Sequence, residues 1–254
     1  MNIIIPCAGS AKRFKECGYK DIKPFIVTKN KLMIEWVLSN LFNKNYNQNF
    51  IFLFQKTHIE NYDVKNILKN ICHNIGIINY SIIEIDGLTQ GCAKTVLYAK
   101  NLINNDDEVI LANSDQFVDN FNIRNLIEYC RNLNLDCGIL TFSAIDSKWS
   151  FVKRKENSIF IEKIKEKEPI SSIANVGIFY WKNGKNLVWS LEEMINKNIL
   201  IGGEFYIAPS IQELIDKNYK VSNYHLNDAQ KNWGLGVPYD LLNFIYNYKN
   251  YENN

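Results

Sequence analysis

Asn2-Ile3-Ile4-Ile5-Pro6-Cys7-Ala8-Gly9-Ser10-Ala11-Lys12-Arg13-Phe14 decides how the chain is read. Three consecutive isoleucines form a short β-branched run of the kind that is buried on both faces of a parallel sheet. Small residues follow at once. They let a backbone approach a ligand closely, and successive N–H groups in such a loop form an anion-binding nest. Lys12 and Arg13 come next, and Lys23-Pro24 closes the loop. One arginine and two lysines around a glycine-containing turn suit a triphosphate, because arginine forks two oxygens while lysine acts as a point charge. A surface turn with solvated charges would show the same residues. Neither G-x-G-x-x-G nor G-x-x-x-x-G-K-[ST] occurs, so neither a dinucleotide fingerprint nor a Walker loop is supported.

Outward from this loop, strand-like runs at residues 3–7, 50–54, 77–85, 108–112 and 137–142 alternate with helical spacing. Ile34, Val37, Leu38 and Leu41 repeat at i, i+3, i+4, i+7, and so do Ile123, Leu126, Ile127 and Cys130. Cys92, Val96, Ala99 and Ile103 trace one face of a further helix. Such alternation predicts βαβ units. After Asp146 the rhythm changes. Strands are expected at 151–155, 158–164, 175–181 and 219–223, and helices at 186–196, 205–216 (with Pro209 in its first turn or at a kink) and from 238. The expectation is an α/β fold with a mostly parallel central sheet, a Rossmann-like nucleotide-binding half (1–145) and a mixed α+β acceptor half (146–254). No linker or repeat divides the chain, so 1–254 reads as a single domain.

Length and charge narrow the class. The 254 residues are 46% apolar, enough for a large core, and 29 basic against 27 acidic residues leave +2. That balance gives no basic footprint for nucleic acid, and no apolar run is long enough to span a membrane. The amino terminus lacks the features of a secretory signal. Cys7, Cys17, Cys72, Cys92, Cys130 and Cys137 show no C-x-x-C spacing, so they read as reduced thiols of a cytoplasmic protein. His58, His73 and His225 stand apart from other zinc ligands. A homo-oligomer is compatible with the sequence, since Trp181, Trp189 and Tyr246 fit core or interface equally.

The segment from Pro6 to Phe14, with Lys23-Pro24, resembles the signature loop of nucleotidylyltransferases of the sugar-nucleotide pyrophosphorylase type, which have a glycosyltransferase-A-like fold. Ala11 stands where that family usually has a second glycine. Further matches follow in chain order. Gly91-Cys92-Ala93-Lys94-Thr95-Val96-Leu97 resembles a segment that approaches the nucleobase. Asn113-Ser114-Asp115-Gln116 follows a strand, and Asp115 resembles the family's metal-binding aspartate. Asp146-Ser147-Lys148-Trp149 resembles the turn into the acceptor half. Glu166-Lys167 and Ala174-Asn175-Val176-Gly177 resemble the acceptor-holding pair, although the alternation of lysine and glutamate over 162–168 equally fits a solvated edge strand. Gly203-Glu204-Phe205-Tyr206 and Trp233-Gly234-Leu235-Gly236-Val237-Pro238 complete the series. Sugar-1-phosphate enzymes often carry a second metal-binding aspartate just before this last glycine; Gly234 and Leu235 stand there instead.

The resemblance implies Mg²⁺-dependent attack of a phosphorylated acceptor on the α-phosphorus of a nucleoside triphosphate. It places Arg13, Lys23 and Asp115 in catalysis, with Asp115 on the metal. It places Ala8, Gly9, Ser10, Ala11, Lys12, Gln90, Gly91, Ala93 and Ser114 on the nucleotide. It places Lys167, Asn175, Gly177, Glu204 and Tyr206 on the acceptor. Gln55, Thr89 and Gln90 are candidates for reading the base. Within the family the similarity is greatest to compact cytidylyltransferases of capsule pathways. That implies CTP as donor, glutamine phosphate as acceptor and a role in phosphoramidate capsule modification. Uridylyl or thymidylyl transfer to a sugar-1-phosphate is the alternative within the class. A glycosyltransferase would need a D-x-D motif, and Asn113 occupies its first position. A catalytically silent nucleotide-sensing subunit fits poorly with Arg13, Lys23 and Asp115 all present.

Overall fold

The computed structural model describes residues 1–249. In chain order the first half holds β1 (Asn2–Pro6), α1 (Lys12–Glu16), a 3-10 turn (Lys23–Phe25), β2 (Val27–Thr28), β3 (Lys31–Leu32), α2 (Met33–Leu41), β4 (Asn49–Gln55), α3 (Lys56–Asn61), α4 (Val64–Ile75), β5 (Asn79–Ile85), α5 (Cys92–Leu97), α6 (Lys100–Ile103), β6 (Val109–Ala112), β7 (Gln116–Val118), α7 (Ile123–Asn132) and β8 (Cys137–Ser143). The second half adds β9 (Ser150–Arg154), β10 (Ile161–Glu166), β11 (Ile173–Trp181), α8 (Gly184–Asn196), α9 (Ala208–Asp216), β12 (Val221–His225), β13 (Asn232–Gly234) and α10 (Pro238–Asn247).

One nine-stranded sheet runs through both halves, in the order β10-β9-β11-β6-β1-β4-β5, with β8 and β12 branching beside β11. β1 lies parallel between β4 and β6. Its isoleucines alternate between two buried clusters, Ile3 and Ile5 on one face and Ile4 on the other, which is why the run is apolar without a break. β11 is antiparallel to β6 and β8, and β10 is antiparallel to β9; every other pair of neighbours in this sheet is parallel or flanks β11. From β1 the chain builds outward to β4 and β5, then returns to lay β6 on the opposite side. The strand order therefore reverses between β1 and β6. Open α/β sheets bind ligands in the crevice at the carboxyl ends of such a pair.

Several elements depart from the expected ones. The helix expected over 92–103 tightens into i→i−3 bonds at Tyr98 and Ala99 and divides into α5 and α6, though Val96, Ala99 and Ile103 stay on one buried face. The strand expected from 158 begins at Ile161, after a turn in which Ser158 N–H donates to the Lys155 carbonyl. α9 starts at Ala208, with Pro209 in its first turn. Residues 56–75 form α3 and α4, and Val64, Leu68, Ile71 and Cys72 line the buried side of α4. The last strand pairs far across the sequence: β13 lies antiparallel to β7, with Gly234 opposite Gln116. Behind it Trp36, Phe117, Trp233 and Phe244 pack edge to face, and Tyr248 stacks on Phe244. All six cysteines are free; Cys7, Cys72, Cys130 and Cys137 are buried, Cys92 is half-buried and Cys17 is exposed. Among the described residues no helix is long and apolar enough to cross a membrane.

Candidate active site

The loop after β1 and the residues after β6 face each other across the strand-order reversal. No hydrogen bond within the described residues takes the N–H groups of Gly9 and Ser10. Ala11 adopts φ 54° and ψ 28°, the left-handed region, and its carbonyl accepts the N–H groups of Phe14 and Lys15 as α1 begins. An alanine there costs about 1 kcal/mol relative to glycine. The chain keeps the left-handed turn instead of rerouting the loop. Phe14, 1% exposed, anchors α1 beneath Lys12 and Arg13. Lys23 Nζ donates to Asp115 Oδ2 at 2.7 Å, tying the 3-10 turn to the end of β6. Gly236 backs the same carboxylate: a Cβ there would lie 2.5 Å from Asp115 Oδ2. Leu235 N–H donates to the Asp115 carbonyl, so the β7–β13 pair fixes this contact.

Just before α5, Gly91 has φ 106°, and a Cβ would meet the Phe205 backbone at 2.6 Å. Phe205 N–H donates to the Gln90 carbonyl and Ala93 N–H to the Phe205 carbonyl, so the two segments cross in close contact. The Thr89 and Thr95 hydroxyls are 2.6 Å apart. Cys92 is held protonated, its thiol pushed up to about 12 by burial.

Around the smaller cavity, β10 ends at Glu166 and Lys167 follows it. β10 is an edge strand, as the solvated-edge reading of its charges expects, and Glu166 and Lys167 also line the smaller cavity. Lys167 takes φ 58°, a strained conformation for lysine of the kind that gathers at functional sites. Its N–H donates to the Trp149 carbonyl, and its Nζ donates to the Tyr206 hydroxyl at 2.5 Å and sits 4.4 Å from that ring's centroid. Burial raises the Glu166 carboxyl to about 7, against a smaller opposing pull from Lys167. Asn175 accepts the Gly177 N–H and donates to Ser150 Oγ, so both ends of its amide shape the irregularity in β11. Gly177, at φ 95°, is pressed against the Asn113 side chain.

Two adjoining cavities result. The larger, about 590 Å³, is lined by Ala8, Gly9, Ser10, Ala11, Lys12, Arg13, Lys23, Gly91, Ser114, Asp115, Lys167, Glu204 and Tyr206, among others. The smaller, about 280 Å³, is lined by Lys148, Trp149, Glu166, Asn175 and Gly177, among others. Arg13, Asp115, Lys167 and Tyr206 line both and mark their junction. Gln90 and Ala93 do not line either: Gln90 is exposed and its side-chain oxygen accepts from Lys94 Nζ, and Ala93 is fully buried on the inner face of α5. Gln55 turns away from both, donating to the Ala8 carbonyl, and His225 bonds Thr141 and Ser143. Leu88, Thr95, Asn113, Gln116 and Gly236 join the lining although the sequence reading assigned them no contact. Gly236 carried a signal, its place in the closing motif.

The profile of the family described as nucleotidyl transferase matches residues 2–229, most of the chain. The chain belongs to the nucleotidyl transferase family. No curated protein sequence matches it. Among solved structures, this nucleotidyl transferase is similar to a nucleoside-diphosphate-sugar pyrophosphorylase from Vibrio cholerae, at TM-score 0.80 and 22% identity over 96% of this chain and 99% of the other. It is also similar to a protein assigned as a glucose-1-phosphate thymidylyltransferase from Bacillus anthracis, at TM-score 0.75 and 18% identity over 97% and 94%. A UDP-glucose pyrophosphorylase complexed with UDP-glucose gives TM-score 0.77 and 15% identity over 96% and 97%. At these identities the likeness is one of fold.

Nucleotidyl transferases of this family typically use Mg²⁺, and the donor set can be tested against that ion. Among the described residues no three His, Cys, Asp or Glu side chains converge as a metal cluster. Mg²⁺ does not need one: it takes one or two carboxylates with phosphate oxygens and water. Asp115, at the junction of the cavities and backed by a glycine, fits that requirement. At Gly234, a Cβ would lie 3.1 Å from the Trp149 ring, so a side chain there would have to displace that ring slightly.

Proposed function

We propose that this nucleotidyl transferase joins the α-phosphorus of a nucleoside triphosphate to a small phosphorylated acceptor and releases pyrophosphate. The observation that carries this reading is the junction itself. A cavity with the glycine-containing loop meets a second cavity, and Arg13, Asp115 and Lys167 line both. An acceptor phosphate is already ionised near neutral pH, its second pKa being about 6, so its oxygen can attack without a strong base. The obstacle is repulsion, about 4 kcal/mol for two unit charges 4 Å apart at an effective dielectric of 20. Arg13, Lys23 and Lys167 supply the countercharge. In this reading residues 9–12 cradle the β- and γ-phosphates, Arg13 neutralises the departing pyrophosphate, Lys23 spans the α-phosphate and the acceptor phosphate, and Lys167 holds the latter. Ser114 lies beside the nucleotide, while Glu204 and Tyr206 bound the acceptor. A magnesium ion on Asp115 would supply further charge neutralisation at the triphosphate. Positioning and electrostatics then do most of the catalysis.

For the donor and acceptor we propose CTP and L-glutamine phosphate, giving CDP-L-glutamine for a phosphoramidate capsule modification. The sequence resemblance to capsule cytidylyltransferases supports this, as does Gly234 at the position where sugar-1-phosphate enzymes often carry an aspartate. Uridylyl or thymidylyl transfer to a sugar-1-phosphate is the second reading, favoured by the names of the structural neighbours. Pyrophosphate release from four triphosphates against glutamine phosphate, phosphocholine and hexose-1-phosphates separates the two. Turnover only with CTP and glutamine phosphate is expected. Turnover with UTP or dTTP and a hexose-1-phosphate would replace the first reading by the second.

A further inference from the structure

The nine-stranded sheet ends in two edges of opposite character. β10 carries Lys163 and Lys165 between glutamates, and its register with β9 shifts between Ile161 and Lys163. Lysines and bulges are common defences of an edge against pairing with another strand. β5 has neither. It runs seven residues, Asn79-Tyr80-Ser81-Ile82-Ile83-Glu84-Ile85, in unbroken parallel register with β4, without lysine or proline and with Glu84 as its sole charge. Among the described residues no strand lies on its outer side, and no backbone hydrogen bond reaches it there. Tyr80, Ile82 and Ile83 are only partly buried, and Ile78, just before the strand, is 88% exposed. A long apolar edge left open in this way invites a further strand. The charges around it indicate which strand. Lys65 Nζ on α4 lies 3.5 Å from Glu84 Oε1, so this flank of α4 faces β5. Lys69 and His73 follow Lys65 one and two turns later, exposed and in no ion pair among the described residues. α4 runs back along β5 to the turn at Gly76, which sets Lys69 and His73 toward the start of the strand. Suppose β5 pairs antiparallel with β5 of a second copy. The register that matches all seven residues places a two-fold axis at Ile82 and sets Glu84 opposite Tyr80. Glu84 of each copy then moves up to Lys69 and His73 of the other, so the edge complements itself, as an isologous interface must. The same register sets Ile78 opposite Asp86, beside Gly87 at φ 75° and Leu88, which is 65% exposed and lines the larger cavity.

We propose that the chain forms a symmetric dimer through β5, with one sheet continuous across the two-fold axis, and that Ile78 of each copy braces the 86–91 loop of the other. Leu88, Thr89 and Gly91 of this loop form one wall of the larger cavity. Each site is then complete only in the dimer. The inference does not depend on which substrates that site takes.

The test uses the full chain, with sedimentation velocity for its oligomeric state and hydrogen exchange at low and high protein concentration for the edge. The wild type should sediment as a dimer at micromolar concentration. Its β5 amides should exchange about tenfold more slowly where the dimer dominates. Ile78→Lys, at an exposed position, should keep the circular dichroism of the wild type and raise the dimer dissociation constant by about tenfold or more. Lys69→Glu and Glu84→Lys should each weaken the dimer, and the two together should recover most of the lost affinity, because their contact crosses the axis. Calorimetric binding of CTP and UTP to Ile78→Lys should weaken by about threefold or more for whichever of them the wild type binds, since the ligand alone must then order the loop. A monomeric wild type, β5 amides that exchange equally fast at both concentrations, or a double variant no tighter than the single ones overturns the proposal. So does a dimer that survives Ile78→Lys but is dissociated by Tyr239→Lys and Tyr246→Lys on the exposed flank of α10. A monomeric Ile78→Lys that binds triphosphate as the wild type does overturns the brace.

Discussion

At the residue scale, the pair Lys23 and Asp115 divides binding from chemistry. Lys23 Nζ is held by the Asp115 carboxylate, so under the proposed function an incoming phosphate would compete with that carboxylate for one ammonium. Lys23→Ala is therefore expected to depress kcat more than it raises the triphosphate KM; the opposite pattern in steady-state kinetics would make Lys23 a ground-state binding residue. Asp115→Asn should fold and lose at least about a hundredfold in turnover, in line with the loss of one preorganised electrostatic group. Near-wild-type rates in that variant would remove Asp115 from the metal role. Glu166 gives a prediction with a definite sign. Its carboxyl rises from 4.5 to about 7 on folding because burial disfavours the charged form. The native state then binds more protons than the unfolded state, so stability falls as pH rises across that window. At about 1.4 kcal/mol per pH unit, the loss is about 3 kcal/mol. Urea titrations at pH 4.5 and pH 8 should show that decline, and Glu166→Gln should flatten it. An equal slope in both proteins would mean that other groups cause it.

At the element scale, the site depends on a strand pair that brings the end of the chain back to its middle. β13 and β7 are three residues each, yet they set Gly236 against Asp115 and Trp149 against Gly234. The aromatic group around Trp36, Trp233 and Phe244 holds that pair down. Gly236→Ala adds a methyl 2.5 Å from Asp115 Oδ2. It is expected to push the carboxylate aside and cut turnover by at least about tenfold, as small misplacements in a reacting site do, with the melting temperature little changed. Full activity in Gly236→Ala would show that the carboxylate can shift without consequence. Three-residue strands carry too little periodicity to be seen in a sequence. β7 and β13 were hidden for that reason. The buried stripe of α4, Val64, Leu68, Ile71 and Cys72, follows the same kind of helical repeat that marks α2 and α7, although it was not singled out in the sequence.

At the scale of the whole molecule, a single sheet carries both cavities, and the reversal of strand order between β1 and β6 sets where they meet. The α/β class and the mostly parallel sheet were legible, because strands buried on both faces leave continuous β-branched runs and their crossovers leave helical repeats; the strand order was not. Arg13, Lys23, Asp115 and Lys167, singled out in the sequence by residue type, all line the cavities. Residues were less legible where the backbone acts instead of the side chain. Gln90 contributes its carbonyl to Phe205 and Ala93 its N–H. Such roles leave no preference for one side chain pattern, so spacing alone misplaces them. The phosphate-loop turn shows the converse: Ala11 holds a left-handed conformation that its side chain disfavours, because the loop around it fixes the path.

The central claim is that the loop after β1 and Asp115 converge on one magnesium-bound triphosphate. A crystal grown with Mg²⁺ and a non-hydrolysable CTP analogue tests it most directly. The account predicts the β- and γ-phosphates on the backbone of residues 9–12, Arg13 beside them, and the metal bridging the triphosphate to Asp115. A polyphosphate chain lying outside this cavity, or a metal bound without Asp115, would contradict it.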